Sequence, residues 1–316
     1  MKVYYDIQAF EGVEKPIATI GTFDGVHLGH KKIISRLLEI KRQQGGETLI
    51  FTFDPHPRSI LFPEQKDLKL ITSTDEKIGL LEKMGIDHVL VFPFTAEFSG
   101  ISADSYVRDF LVKQLNIKTL VIGYDHRFGN NREGNIETLI KYSKELNFGV
   151  EEIPAQDIDN INISSTRIRK ALEEGDIKTA NTYLGYTYFF EGIVVKGKQL
   201  GRTIACPTAN IEIKETLKLI PQIGVYAVFV TIEGVVYKGM MSIGMNPTTD
   251  TDGLIKLEVN IFDFDRDIYG SRIKVQVVER LRNEEKFSNL EELKARLALD
   301  KENSLKVLST SQQLSA

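Results

Sequence analysis

From residue 17 to about residue 155, short β-branched runs alternate with longer segments whose apolar residues recur at helical spacing. The pattern predicts strands over 17–20, 48–53, 88–92, 119–122 and 150–153. Between the first two, Ile33, Ile34, Leu37 and Leu38 mark one face of a helix, and Tyr106, Val107, Phe110 and Leu111 repeat that spacing. Ser73 and Glu76 match a capping box at another helix start. Strand, helix, strand in repetition predicts an α/β unit with a doubly wound, Rossmann-like parallel sheet.

The rhythm changes near residue 185. After helical patches over 165–174 and 177–184, strand-like runs follow at 188–195, 225–232, 236–242, 256–262 and 273–278, punctuated by Gly, Asn and Asp. Such spacing predicts a small antiparallel β-barrel. A terminal helix follows, with Ser288 and Glu291 as its expected capping box and Leu290, Leu293, Leu297 and Leu299 along it. The expected division is a first domain over 1–184, a second over 185–308 and a polar tail over 309–316.

Composition narrows the class. At 316 residues the chain suits two domains, and no apolar run reaches the roughly 18 residues of a membrane span. The N-terminus lacks an export signal, so a cytoplasmic location is expected. The single cysteine, Cys206, forms no intramolecular disulfide and reads as a small buried hydrophobe. A net charge of −4 argues against nucleic acid as a partner, leaves no membrane partner in view and says nothing of oligomeric state. An anionic ligand must then be held by local groups.

One stretch offers such groups. Gly21-Thr22-Phe23-Asp24-Gly25-Val26-His27-Leu28-Gly29-His30 concentrates two of the five histidines between the first strand and the first helix. That is the ligand edge of an open α/β sheet, where a helix N-terminus presents unpaired N–H groups to anions. The glycines admit a close ligand, and the imidazoles can donate to a phosphate as charge builds on it. A pair of metal ligands and a purely structural turn at Asp24-Gly25 are the competing readings.

His27-Leu28-Gly29-His30 resembles the HxGH motif of the nucleotidyltransferase superfamily. Ile163-Ser164-Ser165-Thr166-Arg167-Ile168-Arg169 is similar to its second signature, ISSTxIR. Physically, Ser164, Ser165 and Thr166 can cap a helix while offering hydroxyls to phosphate, and Arg169 can add a charge-assisted contact. Two strand ends, Phe51-Thr52-Phe53-Asp54-Pro55-His56-Pro57 and Gly123-Tyr124-Asp125-His126-Arg127-Phe128-Gly129, resemble the flavin segments of bacterial FAD synthetases.

In the second half, Gly201-Arg202-Thr203-Ile204-Ala205-Cys206-Pro207-Thr208-Ala209-Asn210 resembles the riboflavin kinase signature. Thr208 and Asn210 share a side in extended chain, and Glu258 and Asn260 likewise share a strand face. The resemblance runs from about residue 15 to about residue 303, departing at Thr22, Ala205 and Asn260.

The resemblance implies a bacterial bifunctional riboflavin kinase/FAD synthetase that uses ATP and Mg²⁺. Glu258 would take a proton from riboflavin as FMN forms, with the metal held at Thr208 and Asn210 and ATP at Lys198, Gly201 and Arg202. His27 and His30 would then stabilise charge as FMN is adenylylated to FAD with release of pyrophosphate. In that step Gly21, Thr22, Phe23, Asp24, Gly25, Gly29, Ser164, Ser165, Thr166 and Arg169 would bind ATP, and Phe53, Asp125 and Phe128 the flavin. Two rival readings are a nucleotidyltransferase for another phosphorylated acceptor, its barrel non-catalytic, and a non-catalytic flavin-binding regulator.

Overall fold

A computed structural model describes every residue except 66, 155–162, 198–206, 246–254 and 312–316. Two compact units emerge: Met1–Leu68 with Lys77–Ser164, and Lys69–Glu76 with Ser165–Ala316.

The first unit is built on six parallel strands, β1 (Lys2–Tyr4), β2 (Pro16–Ile20), β3 (Glu47–Phe53), β4 (His88–Phe92), β5 (Thr119–Gly123) and β6 (Gly149–Ile153). Their order is β1-β4-β3-β2-β5-β6. The chain leaves β2 in one direction across the sheet and resumes on its other side at β5, so the crevice between these strand ends is a topological switch point. Helix α1 (Leu28–Gln44) buries Ile34, Leu37 and Ile40, and Gly45 at positive φ ends it. Tyr106, Val107, Phe110 and Leu111 are buried as their spacing predicts. Their segment, Tyr106–Gln114, is wound as a π-helix, closing with Leu115 N–H donating to the Phe110 carbonyl.

The second unit is a closed antiparallel barrel in the cyclic order β10-β11-β8-β7-β12-β9. Its strands are β7 (Phe189–Val195), β8 (Ala209–Glu212), β9 (Gly224–Ile232), β10 (Val235–Met245), β11 (Ile255–Ile261) and β12 (Arg272–Arg282). Helices α2 (Ser165–Glu173) and α3 (Ile177–Leu184) belong to this unit, ahead of the change of rhythm at 185. The reason is local: Asn181 of α3 donates to the Val277 carbonyl at 3.1 Å and accepts from Tyr188 N–H at 2.6 Å.

The last helix, α4 (Leu290–Thr310), differs in detail from expectation. Its cap is Asn289, whose Oδ1 accepts from Glu292 N–H at 2.9 Å, while Glu292 accepts from Ser288 N–H at 3.2 Å. The reciprocal pair is therefore one residue beyond Ser288 and Glu291, because the amide oxygen of Asn289 reaches the third helical N–H. Ser309 and Thr310 are helical, their hydroxyls donating back to Lys306 and Val307 carbonyls. Arg282 forks onto the buried Asp300 carboxylate at 2.6–3.0 Å, fixing α4 against the barrel. Among the described residues no helix is long and apolar enough to cross a membrane.

One ion pair lies deep within this second unit. The side chains of Lys218 and Glu76 are 1% and 3% exposed, with Nζ 2.5 Å from Oε2. Lys218 also donates to the carbonyls of Ile71 at 2.7 Å and Phe189 at 2.9 Å. Glu76 further accepts from Ser73 N–H at 2.9 Å and Glu191 N–H at 3.1 Å. The expected Ser73–Glu76 capping box is thus also the counterion site of a buried ammonium, and both desolvated groups find hydrogen bonds. Removing one partner strands the other's charge: Lys218→Met is expected to destabilise the second unit by about 3–5 kcal/mol in urea unfolding. Adding Glu76→Met should recover part of that loss.

Candidate functional site

The histidine loop begins where β2 ends. Gly21 N–H donates to the Phe51 carbonyl at 3.0 Å, carrying the parallel ladder one step past the strand. Beyond it the backbone turns sharply, with positive φ at Phe23, Gly25 and Val26. His27 is the N-cap of α1, and its Nδ1 accepts from His30 N–H at 3.4 Å. One imidazole of the motif therefore has a structural task, organising the start of the helix. Because Nδ1 accepts, neutral His27 carries its proton on Nε2.

The two imidazoles stack with centroids 3.7 Å apart and planes 17° from parallel, and the Phe23 ring lies 5.0 Å from His30. Burial first, then the neighbouring His27 and Lys77, hold His30 well below the ordinary imidazole range. Its Nδ1 is buried without a hydrogen-bond partner among the described residues. Asp24 is buried at 2% exposure, and Gly29 is buried within α1. Thr22 contributes its carbonyl, which accepts from the Thr52 hydroxyl at 3.1 Å.

At neighbouring strand ends the structure sorts the aromatic candidates. Phe53 ends β3 half-buried, 5.2 Å from the Phe94 ring and 6.1 Å from Phe98. Phe94 and Phe98 are half-buried too, and together the three rings make a partly open aromatic platform. Phe128 is 6% exposed and stacks on Tyr106 at 5.0 Å, so its ring is largely part of the core. Asp125 is exposed. His126 between them is pushed down to about 4, chiefly by burial. The rings Phe94 and Phe98 escape a reading by motif because they follow β4 outside any signature recognised in the sequence.

The second signature is divided: Ser164 closes the first unit and Ser165 opens α2 in the second. Ser164 and Thr166 are exposed, and Arg169 Nε donates to the Lys69 carbonyl at 2.8 Å.

In the barrel, strand register assembles the other candidates. Glu258 on β11 pairs across the ladder with Asn210 on β8 and with Ser242 on β10, so the three side chains share a face. Glu258 is ion-paired with Lys256 at 2.7 Å, and Asn210 packs so closely on Gly197 that any Cβ there would clash. Thr208 and Pro207 line a cavity of about 420 Å³ with Val194, Val259 and Ile261. A second cavity of about 390 Å³ is lined by Asn260, Phe262 and Phe264 and by Leu297 and Lys301 of α4. Asn260 donates to the Pro207 carbonyl at 2.7 Å, tying β11 to the chain just before Thr208. Lys198, Gly201, Arg202, Ala205 and Cys206 lie outside the described residues.

Family models for FAD synthetase and riboflavin kinase match residues 11–167 and 184–308. A bifunctional riboflavin kinase/FMN adenylyltransferase of Listeria monocytogenes is 39% identical, covering 91% of this chain and 90% of the relative. The chain belongs to this bifunctional family. Relatives of the same description from Bacillus subtilis and Escherichia coli are 35% and 37% identical over 93% and 90% of the chain, and over 93% and 90% of their own lengths. A solved structure described as a macrolide-efflux protein of Streptococcus pneumoniae superposes with a TM-score of 0.87 at 31% identity, over 96% of this chain and 98% of that one. In this family member α2 and α3 fall largely between the two matched regions and pack with the barrel.

All five histidines lie in the first unit. His30 and His126 have depressed values, so above about pH 7 they are neutral folded or unfolded and their contribution to stability is complete. As pH falls below about 6.5 the unfolded chain binds protons that the folded unit refuses, and stability drains away. Amide protection factors in β2 and β3 should therefore fall between pH 7 and pH 5, while those in β9 and β10 lose nothing to histidine titration.

Proposed function

We propose that this chain phosphorylates riboflavin to FMN in the barrel unit and adenylylates FMN to FAD in the parallel-sheet unit, consuming ATP in each step. The observation that supports the pairing most is coverage: both family matches and relatives of one description extend over about nine-tenths of the chain.

For phosphorylation, Glu258 takes the proton of the riboflavin 5′-hydroxyl as that oxygen attacks the γ-phosphorus of ATP and ADP departs. Lys256 keeps the carboxylate oriented through their 2.7 Å contact. The Thr208 hydroxyl and Asn210 amide oxygen are hard donors suited to Mg²⁺ shared with phosphates, and Asn210 stands opposite Glu258 in the ladder. These two residues would hold the ion, whose charge supports the departing phosphates. The cavity between β11 and α4, with Phe262, Phe264 and Leu297, suits a flat apolar ring system.

For adenylylation, a phosphate oxygen of FMN attacks the α-phosphorus of ATP, and the bond to pyrophosphate breaks. His27 and His30 meet the charge that develops on the α-phosphate, on a loop whose turns bring backbone close to the ligand. Phe53, with Phe94 and Phe98, offers the isoalloxazine ring an aromatic platform. Ser164, Ser165, Thr166 and Arg169 bind phosphate in this reading on the strength of their motif.

Riboflavin, ATP and Mg²⁺ supplied together should yield FMN and then FAD on chromatography; absence of both would discard the flavin assignment. His30→Ala is expected to lower FAD formation by about 10²–10³-fold while FMN still accumulates. Glu258→Ala should cost about 10²-fold or more in FMN formation and leave conversion of supplied FMN to FAD intact. Loss of both reactions in either folded variant would contradict the division of labour.

A further inference from the structure

A buried cation beside the histidine loop has no part in the reactions as described. Lys77 is 6% exposed, and its Nζ donates to Thr52 Oγ1 at 3.1 Å. Thr52, fully buried, donates its own proton to the Thr22 carbonyl at 3.1 Å. A hydroxyl has one proton, so this chain has a single polarity: ammonium to hydroxyl to the carbonyl of the loop that carries His27 and His30. An uncharged donor would serve Thr52 equally well, and burying an ammonium costs several kcal/mol. The charge itself therefore calls for a reason.

We propose that Lys77 is a positioning residue for adenylyl transfer, acting on the histidine loop through Thr52 and on His30 through its charge. Burial draws the Lys77 ammonium below its ordinary range, while Asp24 and Asp54 oppose that and favour the charged form. The charge of Lys77 also reaches His30, where it adds to the effects of burial and His27 in disfavouring the protonated imidazole. A neutral imidazole has one N–H, and a fixed loop aims it; it assists as charge develops without binding the resting phosphates as a cation would.

The proposal rests on the FAD-forming reading, and two variants of the full chain separate its parts. Lys77→Met removes the charge. The imidazole resonance of His30 should then titrate at a higher pH by NMR, and the acid limb of FAD formation should move with it. FAD formation from FMN at pH 8 should fall about tenfold or more as the loop loosens. Thr52→Val keeps the charge and cuts the chain, so it should slow FAD formation without moving the His30 titration. FMN formation from riboflavin reports on the other unit and should stay at its wild-type rate in both. An unmoved His30 titration in Lys77→Met, or wild-type FAD formation in both variants, overturns the proposal. Wild-type protein that makes no FAD from FMN and ATP refutes the underlying reading instead, and leaves the His30 titration as an independent measurement.

Discussion

Strand register is the constraint on which both candidate sites depend. In the parallel sheet, Ile20 pairs with Phe51, and Gly21 N–H continues that ladder before the chain breaks away. The first histidine thus falls where α1 needs its cap. In the barrel, Glu258 meets Asn210 and Ser242 only in the observed pairing; a slip by one residue would turn Glu258 inward and Val259 outward. The apolar alternation of Leu257, Val259 and Ile261, all buried, opposes such a slip, so the hydrophobic core of the barrel also fixes which polar side chains share a face.

Buried charge is handled differently in the two units. Lys218 is satisfied by two carbonyls and a carboxylate, and its partner Glu76 is itself held by two backbone N–H groups. Such saturation is what makes an interior ion pair tolerable, and it leaves no valence for a ligand. Lys77 contrasts with it: one hydroxyl bond and the fields of two aspartates accompany its burial. One lysine completes a structural network, and the other sits beside the loop that carries the candidate histidines.

Much of this was legible in the sequence because periodicity reports burial. The strand beginning at His88, α3 and the buried face of Tyr106–Gln114 follow from apolar spacing alone, and the barrel follows from its punctuation. What escaped has physical reasons. β1 has three residues, too few to show a period, and is held by pairing with β4. β8 has four residues, again too few to show a period, and its pairing with β11 sets Asn210 opposite Glu258. The shift of the last cap from Ser288 to Asn289 reflects two good capping residues in succession. Lys77 carries no local signature, since its partners Thr52 and Asp24 come from distant segments. Phe128 shows the reverse: motif position suggested a ligand contact, and packing on Tyr106 gives its ring a core role as well.

The two proposed reactions make different demands, and the candidate groups of the two units differ in kind. Phosphorylating a hydroxyl requires that a proton leave a neutral nucleophile, so an acceptor must stand ready; in the proposed reading that acceptor is Glu258, carried on a strand and ion-paired with Lys256. Adenylylating a phosphate has an anionic nucleophile at the outset and needs no base, only donors for the charge gathering on phosphorus. In the proposed reading imidazoles on a loop serve that task, because backbone turns can aim them, and burial holds His30 below the ordinary imidazole range. Exchanging the two groups would fail on both counts: a carboxylate would repel the phosphates, and an imidazole held this far below its ordinary range would be a poor proton acceptor.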